Sequence, residues 1–86
     1  MGKKKVSDME DITQNKTFIR GKLQEFRKKV RTSQFRNEYI IRCFQELIKS
    51  FHSSSNFELV RKEALTILYH YRPQFYQRAK RMGWIK

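Results

Sequence analysis

Basic side chains are the residues of this sequence whose type and spacing could do chemistry. The chain has 20 Lys and Arg against 8 Asp and Glu, which gives a formal net charge of +12 over 86 residues. Six basic residues lie in residues 17–32 beside a single acid, and five lie in residues 72–86, which contain no acid. Guanidinium and ammonium groups at this density attract polyanions, so we expect the partner to be nucleic acid, an acidic protein or an anionic membrane surface.

The candidate partner-binding residues are basic side chains of these two segments, together with two arginines that lie between them. They are Arg20, Lys22, Arg27, Lys28, Arg31, Arg36, Arg42, Arg72, Arg78, Lys80 and Arg81.

Aromatic rings are interleaved with the basic residues near the C-terminus, at Tyr71, Phe75, Tyr76 and Trp84. Rings next to guanidinium groups suit stacking on unpaired bases combined with contact to phosphates. Tyr71 and Phe75 also fit the apolar face of a helix. We therefore expect Tyr76 and Trp84 to be the exposed rings of this segment.

Residues for covalent or metal chemistry are sparse. His52 and His70 are far apart in the sequence and have no cysteine or carboxylate at metal-ligand spacing. The glycines Gly2, Gly21 and Gly83 are isolated, so they form no phosphate-binding loop. We expect no enzymatic activity and no cofactor of the protein's own.

The apolar residues predict three helices that position these side chains. The central one spans Ser33 to His52, where Ser33 is a plausible N-cap and the apolar residues recur at helical spacing. Its expected core residues are Ile40, Phe44, Leu47 and Phe51. The first helix starts near Asn15 or Thr17 and ends near Arg31, and a short link makes these two helices antiparallel. Its apolar stripe is Ile19, Leu23, Phe26 and Val30.

The third predicted helix begins after Asn56 and carries a second wall of the core. Its stripe is Phe57, Val60, Ala64, Ile67, Leu68 and Tyr71. Pro73 lacks a backbone donor, so we expect a kink there, followed by continuation to about Met82. Gly83 then ends the helix in a left-handed cap, with Trp84 and Ile85 folding back.

These patterns predict an all-α protein, an antiparallel three-helix bundle with the third helix kinked at Pro73. Residues 1–16 hold almost no apolar periodicity and are interpreted as a mobile tail, and residues 17–86 as one domain. A domain this small buries a limited core, so we expect a subunit of a larger protein assembly.

The single cysteine, Cys43, cannot form a disulfide within the chain and lies in the apolar arc of the central helix. We interpret it as a small core residue in an intracellular, reducing compartment. No apolar run reaches the length needed to cross a bilayer, and the first residues lack the apolar segment of a secretory signal. We expect a soluble or peripheral protein without a transmembrane segment.

The first two predicted helices resemble the LYR-motif family of small basic mitochondrial adaptors. That family opens with Leu-Tyr-Arg followed three residues later by Leu, and this chain keeps the spacing with Phe18 and Ile19 in the first two positions, then Arg20 and Leu23. The second helix carries further similarities to residues that recur in the family, which are Phe35, Arg36, Tyr39 and Arg42.

The resemblance implies an adaptor that holds an acidic acyl carrier protein within a respiratory, iron–sulfur or ribosomal assembly in mitochondria. By that likeness Arg20 meets the phosphate region of the carrier's phosphopantetheine, and Arg36 and Arg42 face its acidic helix. The acyl chain on that phosphopantetheine would enter the core near four apolar residues, which are Leu23, Phe26, Phe44 and Leu47.

Two functions therefore follow from the sequence. The first is a non-enzymatic, basic helical adaptor, with an acidic acyl carrier protein as its most specific partner. The alternative is an RNA-binding or rRNA-binding subunit of a ribonucleoprotein, in which the basic first helix and the C-terminal segment hold phosphates.

Overall fold

A computed structural model describes residues 15–85, and within this range the chain is all-helical. The helices are α1 Lys16–Arg31, α2 Asn37–Ser50, α3 Phe57–Tyr71 and α4 Pro73–Met82, and residues 15–85 contain no strand. The all-α class is confirmed. The predicted tail, apart from its last two residues, lies outside the described residues, as does Lys86.

Both ends of α1 match local signals in the sequence. The Asn15 side chain caps the first turn, because its Oδ1 accepts hydrogen bonds from the backbone N–H of Thr17 at 2.8 Å and of Phe18 at 3.2 Å. At the other end Thr32 leaves the helical conformation, and its hydroxyl donates to the Lys28 carbonyl at 2.7 Å. The predicted bounds of this helix are confirmed.

The predicted start of the central helix at Ser33 is wrong. Residues 32–35 form a turn in which the Phe35 N–H donates to the Thr32 carbonyl at 3.2 Å, and α2 begins only at Asn37 with Arg36 as its N-cap. Arg36, which lay within the predicted helix, therefore precedes α2 as its N-cap. The cause is a tertiary contact to Thr32 and Asn37, which is described below.

The predicted third helix is divided into two, so residues 15–85 form four helices instead of three. Arg72, with φ −138° and ψ 64°, ends α3 and starts α4. Pro73 is the first residue of α4, where its missing N–H removes no helical hydrogen bond and its fixed φ suits the helix. A full break, and not a kink, therefore lies before the proline.

The predicted cap at Gly83 is confirmed. Gly83 has φ 79° and ψ 14°, and its N–H donates to the Lys80 carbonyl at 3.2 Å. The Trp84 N–H donates to the Ala79 carbonyl at 2.9 Å, which completes a Schellman motif and turns the chain back. Ile85 is buried as a result.

The core lies where the stripes predicted it, along one face of each helix. Its buried residues are Ile19, Phe26, Val30, Ile40, Phe44, Leu47, Phe51, Val60, Ala64, Leu68, Phe75, Ala79 and Ile85. Phe18 pairs with Phe51 and Phe26 pairs with Phe44, at ring-centroid distances of 6.0 and 6.1 Å. Because these pairs connect α1 and α2 in opposite chain order, the two helices are antiparallel. Met82 continues the stripe of α4 on a helical wheel but is exposed.

The structure predicts that a substitution of glycine by alanine has opposite effects on stability at Gly21 and at Gly83. Gly21 lies on the exposed side of α1, and no described heavy atom comes within 4 Å of a Cβ added there. We expect Gly21→Ala to raise the free energy of unfolding by about 0.5–1 kcal/mol, because alanine loses less backbone entropy on folding.

Gly83→Ala is the matched control, since a Cβ at a positive φ of 79° is strained. We expect it to lower the free energy of unfolding by about 1 kcal/mol. Urea titrations followed by far-ultraviolet circular dichroism measure both values. Shifts of the same sign in the two variants would contradict this description of the helix ends.

Candidate functional site

Arg72 fixes the geometry around the candidate site. Its Nε donates to the Val30 carbonyl at 2.7 Å, and its Nη2 donates to the Thr32 carbonyl at 2.8 Å. Its Nη1 donates to Oδ1 of Asn37 at 2.7 Å. The guanidinium thus joins the C-terminal end of α1, the following turn and the first residue of α2. A cation is favourable there because the α1 dipole is negative at that end.

Partial burial affects the charge of this side chain only slightly. Desolvation lowers the pKa of Arg72 below its ordinary value. An arginine nevertheless stays protonated at neutral pH, so the guanidinium acts as a permanent donor. Arg72 was predicted to bind a partner, but three of its donors are engaged within the fold.

Two adjoining grooves bring most of the arginines together, one between α2 and α4 and one between the C-terminal end of α1 and α4. Their volumes are about 910 and 700 Å³, and they share Ser33, Asn37, Arg72, Phe75 and Arg78 as lining residues. We call the pair the arginine groove. Its arginines are Arg31, Arg36, Arg42, Arg72, Arg78 and Arg81.

The arginine groove carries a strong excess of positive charge. Among the described residues that line it, Glu38 is the one acid and none is a lysine. Residues 15–85 contain nine arginines and seven lysines, so the enrichment is specific to arginine. Arginine differs from lysine by a planar fork of donors that binds carboxylates and phosphates in a bidentate manner and stacks on rings.

Aromatic rings border the arginine groove. Phe35 and Trp84 line it and are 37% and 43% exposed. Tyr39 lies next to Phe35, with ring centroids 4.9 Å apart and planes at 32°. Trp84 was predicted to be exposed and is, whereas Tyr76 is half-buried. Tyr39 is 39% exposed as well, and sequence reasoning did not predict the exposure of Phe35 or Tyr39. Phe35 lies in the turn before α2, outside the helix that was predicted to contain it.

The other predicted basic residues lie on different surfaces. Arg20 and Arg27 line a groove between α1 and α3 together with Glu63, and the Arg27 Nε donates to the Tyr71 hydroxyl at 3.1 Å. The remaining three are Lys22 in a groove between α1 and α2, Lys80 in a groove between α3 and α4, and the exposed Lys28. Of the basic residues of α1, Arg31 is the one found among the lining residues of the arginine groove.

The apolar residues assigned to an acyl chain lie in or beside the core. Phe26, Phe44 and Leu47 are buried, and Leu23 is half-buried and packs against them. Phe26 and Leu47 also line a narrow groove of about 170 Å³ between α1 and α2. Phe26 and Leu47 lie at the base of this groove, and its other lining residues include the charged side chains Lys22, Glu25, Lys29 and Glu46.

The described part of the chain has no group of three or more His, Cys, Asp or Glu side chains that could hold a metal ion. Cys43 is a half-buried free cysteine. Over residues 15–85, none of the helices combines the length and the apolar character that crossing a bilayer requires.

Comparison with protein-family models, with curated proteins and with solved structures found no match for this chain.

The hydrogen bonds of Arg72 predict that this arginine supports the fold. We expect Arg72→Lys to lower the free energy of unfolding by about 2 kcal/mol, because a lysine cannot reach the two carbonyls and the amide oxygen together. Arg78→Lys changes an exposed arginine of the same groove and should shift stability by no more than about 0.5 kcal/mol. Chemical denaturation of the two variants measures the difference, and equal stability would contradict the structural role of Arg72.

Proposed function

We propose that this protein is a non-enzymatic helical adaptor that docks an acidic protein partner, of the acyl carrier type, into the arginine groove and holds it within a larger assembly. The observation that carries this proposal is the collection of six arginines around two adjoining grooves with Glu38 as the one acid among their described lining residues. Neighbouring cations of this density favour a partner that presents several carboxylates on one surface.

The number of arginines matters because each exposed ion pair is weak. An exposed pair contributes only about 0.2–1 kcal/mol, since water and salt screen it. Without Arg72, five arginines remain to face a partner, and together they supply about 1–5 kcal/mol. This range is enough to steer association and fix the orientation of an acidic helix, while contacts to apolar surface supply the remaining affinity.

The seam between α1 and α2 supports the acyl carrier form of the proposal. Helix α2 borders both the arginine groove, through Arg42, and the narrow groove at this seam, through Leu47. An acyl chain carried by the partner's phosphopantetheine would part the two helices near Phe26 and Phe44. It would pass the charged side chains that line the groove and end among the apolar side chains of the core.

The resemblance to the LYR-motif family supplies the wider setting of the proposal. It adds a mitochondrial location and a respiratory, iron–sulfur or ribosomal assembly as the parent complex. It also implies that Arg20 binds the phosphate of phosphopantetheine. Arg20 lines the groove between α1 and α3 and is not among the lining residues of the arginine groove. The docking proposal does not depend on that assignment.

A second candidate function is binding of single-stranded RNA within a ribonucleoprotein. The observation that favours it is the pair of exposed rings, Phe35 and Trp84, in the same groove as the arginines. Unpaired bases stack on such rings while arginines contact the phosphates between them.

Charge reversal in the arginine groove tests the adaptor function. We expect Arg36→Glu combined with Arg78→Glu to weaken binding of a purified acyl carrier protein at least about tenfold, because two attractions become repulsions. Lys28→Glu combined with Lys49→Glu makes the same change in net charge at exposed positions outside the groove and should weaken binding by no more than about twofold. Isothermal titration calorimetry measures these affinities.

Two further experiments test whether the partner is an acyl carrier protein and whether the arginines bind it through their paired donors. Co-expression in bacteria followed by intact-mass analysis should find a carrier with an acyl-phosphopantetheine group in the purified complex. Arg36→Lys combined with Arg78→Lys keeps the charge and should still weaken binding about threefold, because the bidentate fork is lost. If the Lys28 and Lys49 variant weakened binding as much as the Arg36 and Arg78 variant, net charge alone would explain the interaction. That result would contradict the proposal.

The RNA function predicts a steep salt dependence and a role for Trp84. With about five phosphate contacts, the log affinity for a single-stranded oligouridylate should fall with log salt at a slope near −3.5. Trp84→Ala should weaken binding about tenfold because a stacking surface is lost. Tyr69→Ala removes another exposed ring, outside the arginine groove, and should have no effect. Fluorescence anisotropy measures both, and a flat salt slope would exclude this function.

A further inference from the structure

The outer face of α3 carries large apolar side chains that the core does not cover. Leu59 is 49% exposed and Tyr69 is 55% exposed. Both line a groove of about 700 Å³ between α3 and α4, together with half-buried Leu65 and Tyr76. Single exposed apolar residues are ordinary on a protein surface, but several that line one groove make that groove a candidate docking surface.

The core packing of α3 does not require these residues. Val60, Ala64 and Leu68 have no exposed surface and already form the side of α3 that faces α1 and α2. Leu59 and Tyr69 point away from that side. About half of each side chain therefore stays in contact with solvent and is available to a partner.

The wall of this groove is shaped by stacked side chains. Tyr69 and Tyr76 pack edge to face, with ring centroids 5.4 Å apart and planes at 77°. The Lys80 ammonium lies 5.9 Å from the centroid of the Tyr76 ring. The Tyr69–Tyr76 contact connects α3 to α4, and the Lys80 contact lies within α4. Rings that are already packed lose less side-chain freedom when a partner binds.

The rim of this groove is positively charged. Arg61, Lys62 and Lys80 line it against one acid among the described lining residues, Glu58. An occupant that covers the apolar residues would therefore gain from carboxylates along its edges. The chain's net charge of +12 makes a second copy of this protein an unfavourable occupant.

We propose that this groove binds an amphipathic helix of a partner protein, with an apolar stripe flanked by acidic residues. Leu59 and Tyr69 are ten positions apart on α3, a span of about 15 Å, which matches about three turns of a docked helix. Its anchors then follow the i, i+3, i+4 and i+7 spacing of helix-in-groove recognition.

This site is separate from the arginine groove. The residues that the structure describes give the two sites no lining residue in common, and α4 contributes Arg78 to one and Tyr76 and Lys80 to the other. The chain thus has two docking surfaces on different faces, which is what an adaptor needs to join two partners. The inference stands whether the arginine groove binds a protein or RNA.

The test uses the full chain and a defined probe. The probe is a fluorescent helical peptide with leucines at i, i+3, i+4 and i+7 and glutamates beside them, and fluorescence anisotropy reports its binding. We expect Leu59→Ser combined with Tyr69→Ser to weaken binding at least tenfold. Met82→Ser removes an exposed apolar residue outside the groove and should leave binding within twofold of the original protein.

Further controls separate this site from the arginine groove and from loss of folding. Arg36→Glu combined with Arg78→Glu should leave probe binding within about threefold, and the Leu59 and Tyr69 variant should bind the acyl carrier protein or the oligonucleotide normally. Circular dichroism should show unchanged helicity in every variant, and Leu59→Ser alone should weaken the probe about threefold.

Three outcomes would overturn the proposal. The first is equal probe binding by the original protein and the Leu59 and Tyr69 variant. The second is equal binding of a peptide with the same composition in scrambled order, which would mean that charge alone attracts it. The third is a dimer in sedimentation that this variant abolishes, because the occupant would then be a second copy of the chain.

Discussion

The structure depends on the hydrogen bonds of one side chain, Arg72. Its guanidinium binds two carbonyl oxygens at the end of α1 and the side chain of Asn37 at the start of α2, all at 2.7–2.8 Å. Arg72 also lies between α3 and α4 in the chain. This one residue therefore connects the end of α1, the start of α2, the end of α3 and the start of α4. Carbonyls at a helix C-terminus lack intrahelical partners, and a guanidinium satisfies several of them while complementing the helix dipole. Arg72 and Asn37 also line the arginine groove, so this junction forms part of its wall.

Concentrating arginines in that groove opposes folding and therefore calls for an explanation. The guanidinium groups of Arg31, Arg36, Arg42, Arg78 and Arg81 repel one another, since few described acids lie among them. Solvent and salt reduce this repulsion, with a screening length of about 8 Å at physiological ionic strength. An anionic partner would remove the rest of it on binding. Features that oppose stability are expected at functional sites, and the largest group of arginines among the described grooves lies in the arginine groove.

The sequence predicted local features better than the arrangement of the helices. The start of the first helix near Asn15 and the cap at Gly83 were predicted correctly, because a helix end depends on the few residues around it. The start of α2 was misplaced because Thr32 and Asn37 are held by Arg72, a residue about forty positions away. The grouping of Arg36 and Arg42 with Arg78 could not be predicted either. Helical periodicity gives the apolar face of each helix, but the rotation of one charged flank relative to another is decided only by packing.

Helix α4 is the element on which both proposed surfaces depend. It is short, at 10 residues, and would be marginal alone, but its ends are fixed by Pro73 and by the Gly83 cap, and Phe75, Ala79 and Ile85 anchor its inner side. With that side buried, its two flanks face different grooves, Arg78 on one and Tyr76 on the other. A helix held this firmly moves little when either groove is filled. Coupling between two sites requires an element with two arrangements that both ligands bias. The two proposed surfaces should therefore bind their ligands independently, with neither site regulating the other.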